Sequence, residues 1–326
     1  MNPFGGVPSR VPLGVRSPNT RLNFPPGLKP KSPVPRTNLF GVQAPPKLLF
    51  TLKDAGYMET NDMVGEGGMG QVWIVKKNGK KLIAKTSSGL NDAHIRKEWT
   101  MMSKLKGIRG IPEVHDLVAL ANGSYHLIMD FIDGRDIPSF FRTCHMTWAQ
   151  KAHFAMRLYE ILEQAWSRGV VHRDLKGDNV MVVEEKDGFF EPVVIDWGLA
   201  CSIGKDTTSC GTKFAMAPEM FIDRMSDKAN RSQPSVDIWG LGVVLYELLF
   251  DQDPFHKFQD CEELEEGILD LDWATDFDGE TFDDDTIIFF NSFFKNTEDR
   301  IKRENLKFWM EGYFCADDEV DPLDMV

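Results

Sequence analysis

The 326-residue sequence predicts an α+β protein of two lobes: a small antiparallel sheet carrying one helix, then a larger, mainly helical body. Three observations predict it. Residues 63–132 are short apolar runs separated by turn residues, and one junction is Asn78-Gly79, a strong hairpin signal. After Gly134 the periodicity becomes helical, with 148–168 strongly amphipathic. Farther on, "IWGLGVVLYELLF" (238–250) is almost wholly apolar. The expected division is 51–133 for the first lobe and 134–313 for the second, between a tail at 1–50 and an acidic C-terminal tail at 314–326.

The elements follow in order. Residues 1–50 hold eleven of the eighteen prolines, interleaved with Ser, Gly and single basic residues. Such a segment cannot build a packed core, so a disordered, partly polyproline II tail is expected. Its lack of acids is like a transit peptide, but the prolines spoil any amphipathic helix, and no apolar run of a secretory signal is present. "KPKSPVPR" (29–36) reads as a docking segment for partners, as a proline-directed phosphosite at Ser32, or as a solvated basic tail. Order is expected from near Leu49. "MVGEGGMGQVWIVKKNGKKLIAK" (63–85) reads as strand, glycine loop, strand, turn, strand. A helix is expected over 91–105, where Ile95, Trp99, Met102 and Leu105 recur at helical spacing. Shorter strands carry "PEVHDLVAL" and "YHLIMDFI". The helix at 148–168 meets Gly169 as its C-cap. The 238–250 stretch is interrupted by Glu247 and is too short to span a bilayer, so it is read as a buried core helix.

The net charge of −13 conceals an asymmetry. Residues 1–53 contain eight Lys or Arg and no acid, which leaves 29 basic and 50 acidic residues in the remainder, a net −21. An acidic body argues against direct nucleic-acid binding. Five cysteines, odd in number and without CxxC spacing, argue against a disulfide framework or a zinc site and for a reducing compartment. The expectation is an intracellular monomer, cytoplasmic or nuclear, without a membrane segment.

Several residues carry chemistry. "GEGGMG" (65–70) is a GxGxxG, which dinucleotide-binding folds also use, but there the loop opens a helix. Here "QVWIVKK" and a hairpin turn follow, and the lysine of a GK[ST] phosphate loop is missing. Glycines in such a turn let backbone N–H groups close over phosphates. Lys85 ends an apolar strand, where an unpaired ammonium is expensive, and Glu98 shares the apolar face of the next helix. The two are natural partners, able to hold the lysine against a nucleotide's phosphates. "VVHRDLKGDNVMVV" (170–183) packs six polar or ionisable side chains between a helix and a strand. "VVIDWGLA" (193–200) then places Asp196 at the end of another apolar run. Asn179 and Asp196 offer hard oxygen ligands suited to Mg²⁺, which takes few protein ligands and completes its shell with phosphate and water.

With these residues in view, the sequence resembles the eukaryotic-type protein kinase family, serine/threonine class, over roughly 58–313. The matches occur in the family's chain order: the Gly-rich loop and Val72; "LIAK" for VAIK; Glu98; "HRDLKGDN"; "DWG" for DFG; "APE" at 217–219; Asp237 in "DIWGLG"; and Arg300, the partner of Glu219. The resemblance implies a bilobal kinase fold, ATP and Mg²⁺, and protein substrates with Ser or Thr acceptors. It implies Lys85, held by Glu98, on the α/β-phosphates and Asp174 as catalytic base. Lys176 would neutralise the transferred group, and Asn179 and Asp196 would bind the metal. The ATP site would be Val64, Gly65, Glu66, Gly67, Gly68, Met69, Gly70, Val72, Ala84 and Lys85. Completing it are Met129 as gatekeeper, Asp130 and Ile132 as hinge hydrogen-bonding groups, and Met181 beneath the adenine. Lysine two residues after Asp174, and Thr212 in "GTKFAMAPE", are similar to the serine/threonine class.

Departures from the family pattern are few. Gly177 stands where proline is frequent, Leu82 replaces valine, and Trp197 replaces the DFG phenylalanine as a large apolar anchor. "DLDWATDFDGETFDDDT" (270–286) fails as a calcium loop, because position one would be Ala274, and reads as a solvated acidic loop. In the activation segment, 196–219, phosphorylation at Thr207, Thr208 or Ser209 would find a cationic partner in Arg173; the other reading is an unmodified polar loop. Two other functions make different demands on the sequence. A pseudokinase-type scaffold recruiting partners through the Pro-rich tail commonly lacks one of Lys85, Asp174, Asn179 and Asp196, all present here. A dinucleotide oxidoreductase requires a helix after Gly70.

Overall fold

The computed structural model describes residues 48–67, 70–86, 92–221, 228–255, 258, 267 and 282–315. Residues 1–47 of the expected Pro-rich tail, the acidic tail from 316 and most of the acidic stretch 270–286 lie outside them. A six-stranded sheet runs in the order β1-β5-β6-β4-β3-β2, with β1 (Leu48–Leu49), β2 (Met58–Gly67), β3 (Gly70–Lys77), β4 (Lys80–Thr86), β5 (Val114–Leu120) and β6 (Tyr125–Asp130). Five strands pair antiparallel, and the short β1 adds to β5 in parallel. Asn78 and Gly79 take φ of 52° and 80°, as a two-residue hairpin turn with two left-handed residues requires. β2 and β3 close the glycine loop as a hairpin, with Gly67 opposite Gly70. This strand–loop–strand geometry removes the dinucleotide-fold reading.

Period two along β4 sorts its side chains. Leu82 and Ala84 join Val75, Ile128, Leu52 and Tyr57 in an apolar cluster on the outer face of the sheet. Ile83 and Lys85 point to the other face, where Ile83 enters the main core. Helix α1 (Asp92–Lys104) follows, one residue inside the expected bounds at each end. Ile95, Met102 and Leu105 are buried, with Glu98 on the same stripe; Trp99 is only partly so.

The second lobe begins with β7 (Arg135–Asp136) and α2 (Ile137–Phe141). Helix α3 (Trp148–Ser167) starts at a capping box, in which Thr147 and Gln150 exchange side-chain and backbone hydrogen bonds, and ends before Gly169 at φ 73°. β8 (Val170–Val171) pairs with β11 (Cys201–Ser202), and β9 (Val180–Glu184) lies between β10 (Phe190–Val194) and β7. The charged segment 172–179 bridges β8 and β9. Short α4 (Pro218–Phe221), α5 (Pro234–Phe250), α6 (Asp284–Phe293) and α7 (Arg303–Phe314) complete the lobe. Helix α5 buries 13 of its 17 residues, as expected of a helix apolar on every side. No helix among the described residues is long and apolar enough to cross a membrane.

One buried ion pair ties the end of the activation segment to the lobe. Arg300 forks onto both oxygens of Glu219 at 2.7 and 2.9 Å, and both side chains are almost fully enclosed. The guanidinium also donates to the carbonyls of Ser235 and Lys295 and lies over the Trp239 ring. Removing one partner leaves an uncompensated buried charge. Arg300→Leu should therefore destabilise the protein by about 3–5 kcal/mol in urea unfolding.

Candidate active site

Lys85 at the end of β4 and Glu98 on α1 face each other across the sheet–helix junction, with Nζ 2.9 Å from Oε1. The same ammonium lies 2.6 Å from Oδ1 of Asp196. Burial disfavours the charged lysine, but Glu98 and Asp196 outweigh it and hold its pKa above the ordinary value. Asp196 has φ 56°, a left-handed residue whose carboxylate also accepts the N–H of Gly198. Burial works against its ionisation, yet Lys85 holds it below the usual carboxylate range.

Trp197 begins the 3-10 turn after Asp196 and is fully buried. Its ring meets His172 edge-on at 4.6 Å between centroids, and its Nε1 donates to the carbonyl of Val194 at 3.1 Å. Phenylalanine has no such N–H, so the exchange adds a tether as well as an apolar anchor.

Asp237 on α5 shapes the loop 172–179. Oδ2 accepts the His172 N–H at 2.8 Å and the Trp166 indole at 2.9 Å, while Oδ1 accepts the Arg173 N–H at 2.8 Å. These bonds hold Arg173 at φ 70°. His172 accepts the Asp174 N–H on Nδ1 and donates from Nε2 to Ile195, which assigns the neutral Nε2–H tautomer. Asp174 is thereby presented at the cleft. Its Oδ1 accepts from the N–H and hydroxyl of Thr212 at 2.8 and 2.9 Å, and Lys176 donates to that hydroxyl at 2.7 Å. Asn179 donates through Nδ2 to the backbone and side chain of Asp174. With its nitrogen so used, the Asn179 amide oxygen remains for a cation, next to the Asp196 carboxylate. Two hard oxygens fit Mg²⁺ completed by phosphate and water. No group of three or more His, Cys, Asp or Glu able to hold a metal occurs among the described residues.

Between the lobes lies a mostly apolar cavity of about 230 Å³. The sheet contributes Val64, Val72, Ile83 and Lys85, the connection Met129 to Ile132, and the second lobe Asn179, Met181 and Asp196. Gly65, Glu66 and Gly67 lie in β2 and Gly70 opens β3; Gly68 and Met69 lie outside the described residues. The Asp130 carboxylate is occupied by Lys80, His115 and the N–H of Glu113. One expected residue is corrected: Ala84 points to the outer face, and Ile83, in phase with Lys85, lines the cavity. Alternation back from Lys85 carries that signal in the sequence.

Thr207, Thr208 and Ser209 are all exposed. Thr208 Oγ1 lies 3.5 Å from Nη2 of Arg173, which also donates to the Thr208 carbonyl. Two further features escape sequence reasoning. Asp206 takes Lys97 and Arg173 as partners, a junction with no local signal. Glu247, the one glutamate in α5, meets the loop at Gly177. A Cβ at Gly177 would fall 1.8 Å from Glu247 Oε2, so a side chain there requires the Glu247 carboxyl to move aside. Burial, with Asp253 and Asp178 nearby, pushes the Glu247 carboxyl up to about 8.

The profile of the family described as "Protein kinase domain" matches residues 58–303. Sperm motility kinase 2B of Mus musculus is 29% identical over 204 residues, covering 60% of this chain and 40% of its own length. A Dictyostelium discoideum protein described as a probable serine/threonine-protein kinase is 27% identical over 197 residues, 57% of this chain and 36% of its own. Another from that organism, described as a probable myosin light chain kinase, is 30% identical over 238 residues, 69% and 73% respectively. The chain thus spans 40% and 36% of the lengths of the first two relatives.

Gly177→Ala should destabilise the fold by about 1–3 kcal/mol. Adding Glu247→Ala should recover part of that loss in thermal melts. Glu247 also sets a pH dependence. Its native pKa lies above the ordinary 4.5, so folding retains a proton that the unfolded chain releases. The stability of the neutral form is whole below about 4.5 and is lost as pH rises toward 8. The Tm of Glu247→Gln relative to the parent should climb over that window and then level.

Proposed function

This chain belongs to the protein kinase family, and we propose that it transfers the γ-phosphoryl group of ATP to Ser or Thr hydroxyls of protein substrates. The observation that carries the reading is the convergence on one cleft of Lys85–Asp196 at 2.6 Å and of Asp174 braced by Thr212 at 2.9 Å. Phosphoryl transfer asks a protein to position reactants and stabilise charge rather than to form covalent bonds. Here the adenine enters the apolar part of the cavity, between Val72 and Ile83 on one side and Met181 on the other. Backbone groups of Asp130 and Ile132 meet its edge, and Met129 closes the rear. The glycine loop covers the phosphates. Lys85, kept charged and aimed by Glu98, engages the α/β-phosphates. Asp174 orients the acceptor hydroxyl and takes its proton, and Lys176 stabilises charge on the transferred group. Mg²⁺ held by Asn179 and Asp196 supplies neutralisation of phosphate charge when bound.

Serine/threonine preference rests on Lys176 and Thr212, joined to each other and to Asp174. The acting form is proposed to be an intracellular monomer, cytoplasmic or nuclear, whose Pro-rich segment docks partners. The scaffold alternative has less support, because the four residues that such scaffolds commonly lose are all present and gathered at the cleft.

Labelled-phosphate transfer from ATP to a basic generic protein substrate tests the proposal. Asp174→Asn should keep its melting temperature and lose about 10³-fold in rate. Equal transfer by both proteins would refute the assignment of Asp174.

A further inference from the structure

The Arg173 guanidinium is 1% exposed and adjoins Asp174 in the chain. A cation so enclosed needs a counter-charge. Asp206 provides it from the activation segment, with Oδ2 3.2 Å from Arg173 Nη2 and 2.9 Å from Lys97 Nζ. Its other oxygen accepts the Thr208 N–H at 2.9 Å and the Thr208 hydroxyl at 2.6 Å. Both oxygens are engaged, and each element they reach matters. Lys97 precedes Glu98 on α1, Arg173 precedes Asp174, and the segment beyond Asp206 leads to Thr212. Arg173 also donates to the carbonyls of Leu199 and Thr208, and Arg231 to that of Thr207. Burial opposes ionisation of Asp206, but Thr208, Lys97 and Arg173 hold its carboxyl well below the usual range, so the charge is permanent near neutral pH.

We propose that Asp206 is a positioning residue whose fixed carboxylate joins α1, the catalytic loop and the activation segment, making their active arrangement independent of phosphorylation in that segment. The proposal rests on the kinase reading above. Arg173 and Lys97 are already matched, so a phosphate on Thr208 removes a donor from Asp206 and sets a second negative group beside it. Modification at Thr208 then lowers activity rather than raising it.

The test uses the full chain, treated with a broad-specificity phosphatase and checked by intact mass. The treated parent should keep its phosphotransfer rate. Asp206→Asn should lose roughly tenfold in kcat, with little change in KM for ATP, and Asp206→Glu should recover most of it. Lys97→Met should fall in the same direction, and Lys97→Met with Asp206→Asn should be no worse than Asp206→Asn alone, because both act through one carboxylate. Hydrogen exchange over 201–212 gives a readout that needs no catalysis: protection should survive phosphatase and drop in Asp206→Asn. A parent silenced by phosphatase, or an Asp206→Asn protein with parental kcat and protection, overturns the proposal. A parent inactive in every state but with exchange behaving as expected would instead refute the kinase reading and leave the structural role of Asp206 supported.

Discussion

Lys85 places an ammonium, its side chain only 9% exposed, between Glu98 of α1 and Asp196 of the activation segment. Lys85 and Glu98, both enclosed, are intolerable there without each other, because low-dielectric surroundings penalise an unmatched ion far more than they reward a matched one, and the more exposed Asp196 adds a second counter-charge. The sheet and α1 must therefore adopt one mutual placement for that pair to be satisfied, and the start of the activation segment docks onto it through Asp196. That placement leaves an apolar cavity on one side of the lysine and a polar corner on the other. The cleft is a consequence of charge matching across elements far apart in sequence.

The second lobe repeats the device with hydrogen bonds. Asp237, enclosed within the most apolar helix of the molecule, accepts two backbone N–H groups and an indole, and so dictates the path of residues 172 and 173. Arg173 pays for its left-handed backbone through those bonds and through the Asp206 carboxylate. His172, fixed by neighbours on both ring nitrogens, forms the surface against which Trp197 packs. The catalytic loop, the activation segment and α1 are thus held by a few buried polar groups set into an apolar frame. Such groups contribute modestly to net stability and strongly to the uniqueness of one arrangement.

Glu247 and Gly177 show how a departure at one position is absorbed by another. A carboxyl within α5 occupies space that a side chain at residue 177 would need. Neither residue is informative alone. A lone glycine in a loop and a lone glutamate in an apolar helix each have ordinary explanations, and only their approach makes a pair of them.

Much of the fold was legible because it follows from local rules. Asn78-Gly79 announced a hairpin, helical spacing placed Ile95, Met102 and Leu105 on one face with Glu98, and the unbroken apolarity of 238–250 marked a central helix. Lys85 and Asp196 stood out as well, since ionisable side chains at the ends of buried strands require partners. What the sequence by itself determined was therefore the set of elements and the list of charges needing company. Tertiary structure alone decided which charges met. Ile83 rather than Ala84 faces the cavity because the pleat admits one phase with Lys85. Asp206 reaches Lys97 and Arg173, distant in the chain, only because the activation segment folds back across α1 and the catalytic loop. Pairings of that kind depend on where backbones cross in space, and no local periodicity or propensity encodes the crossing.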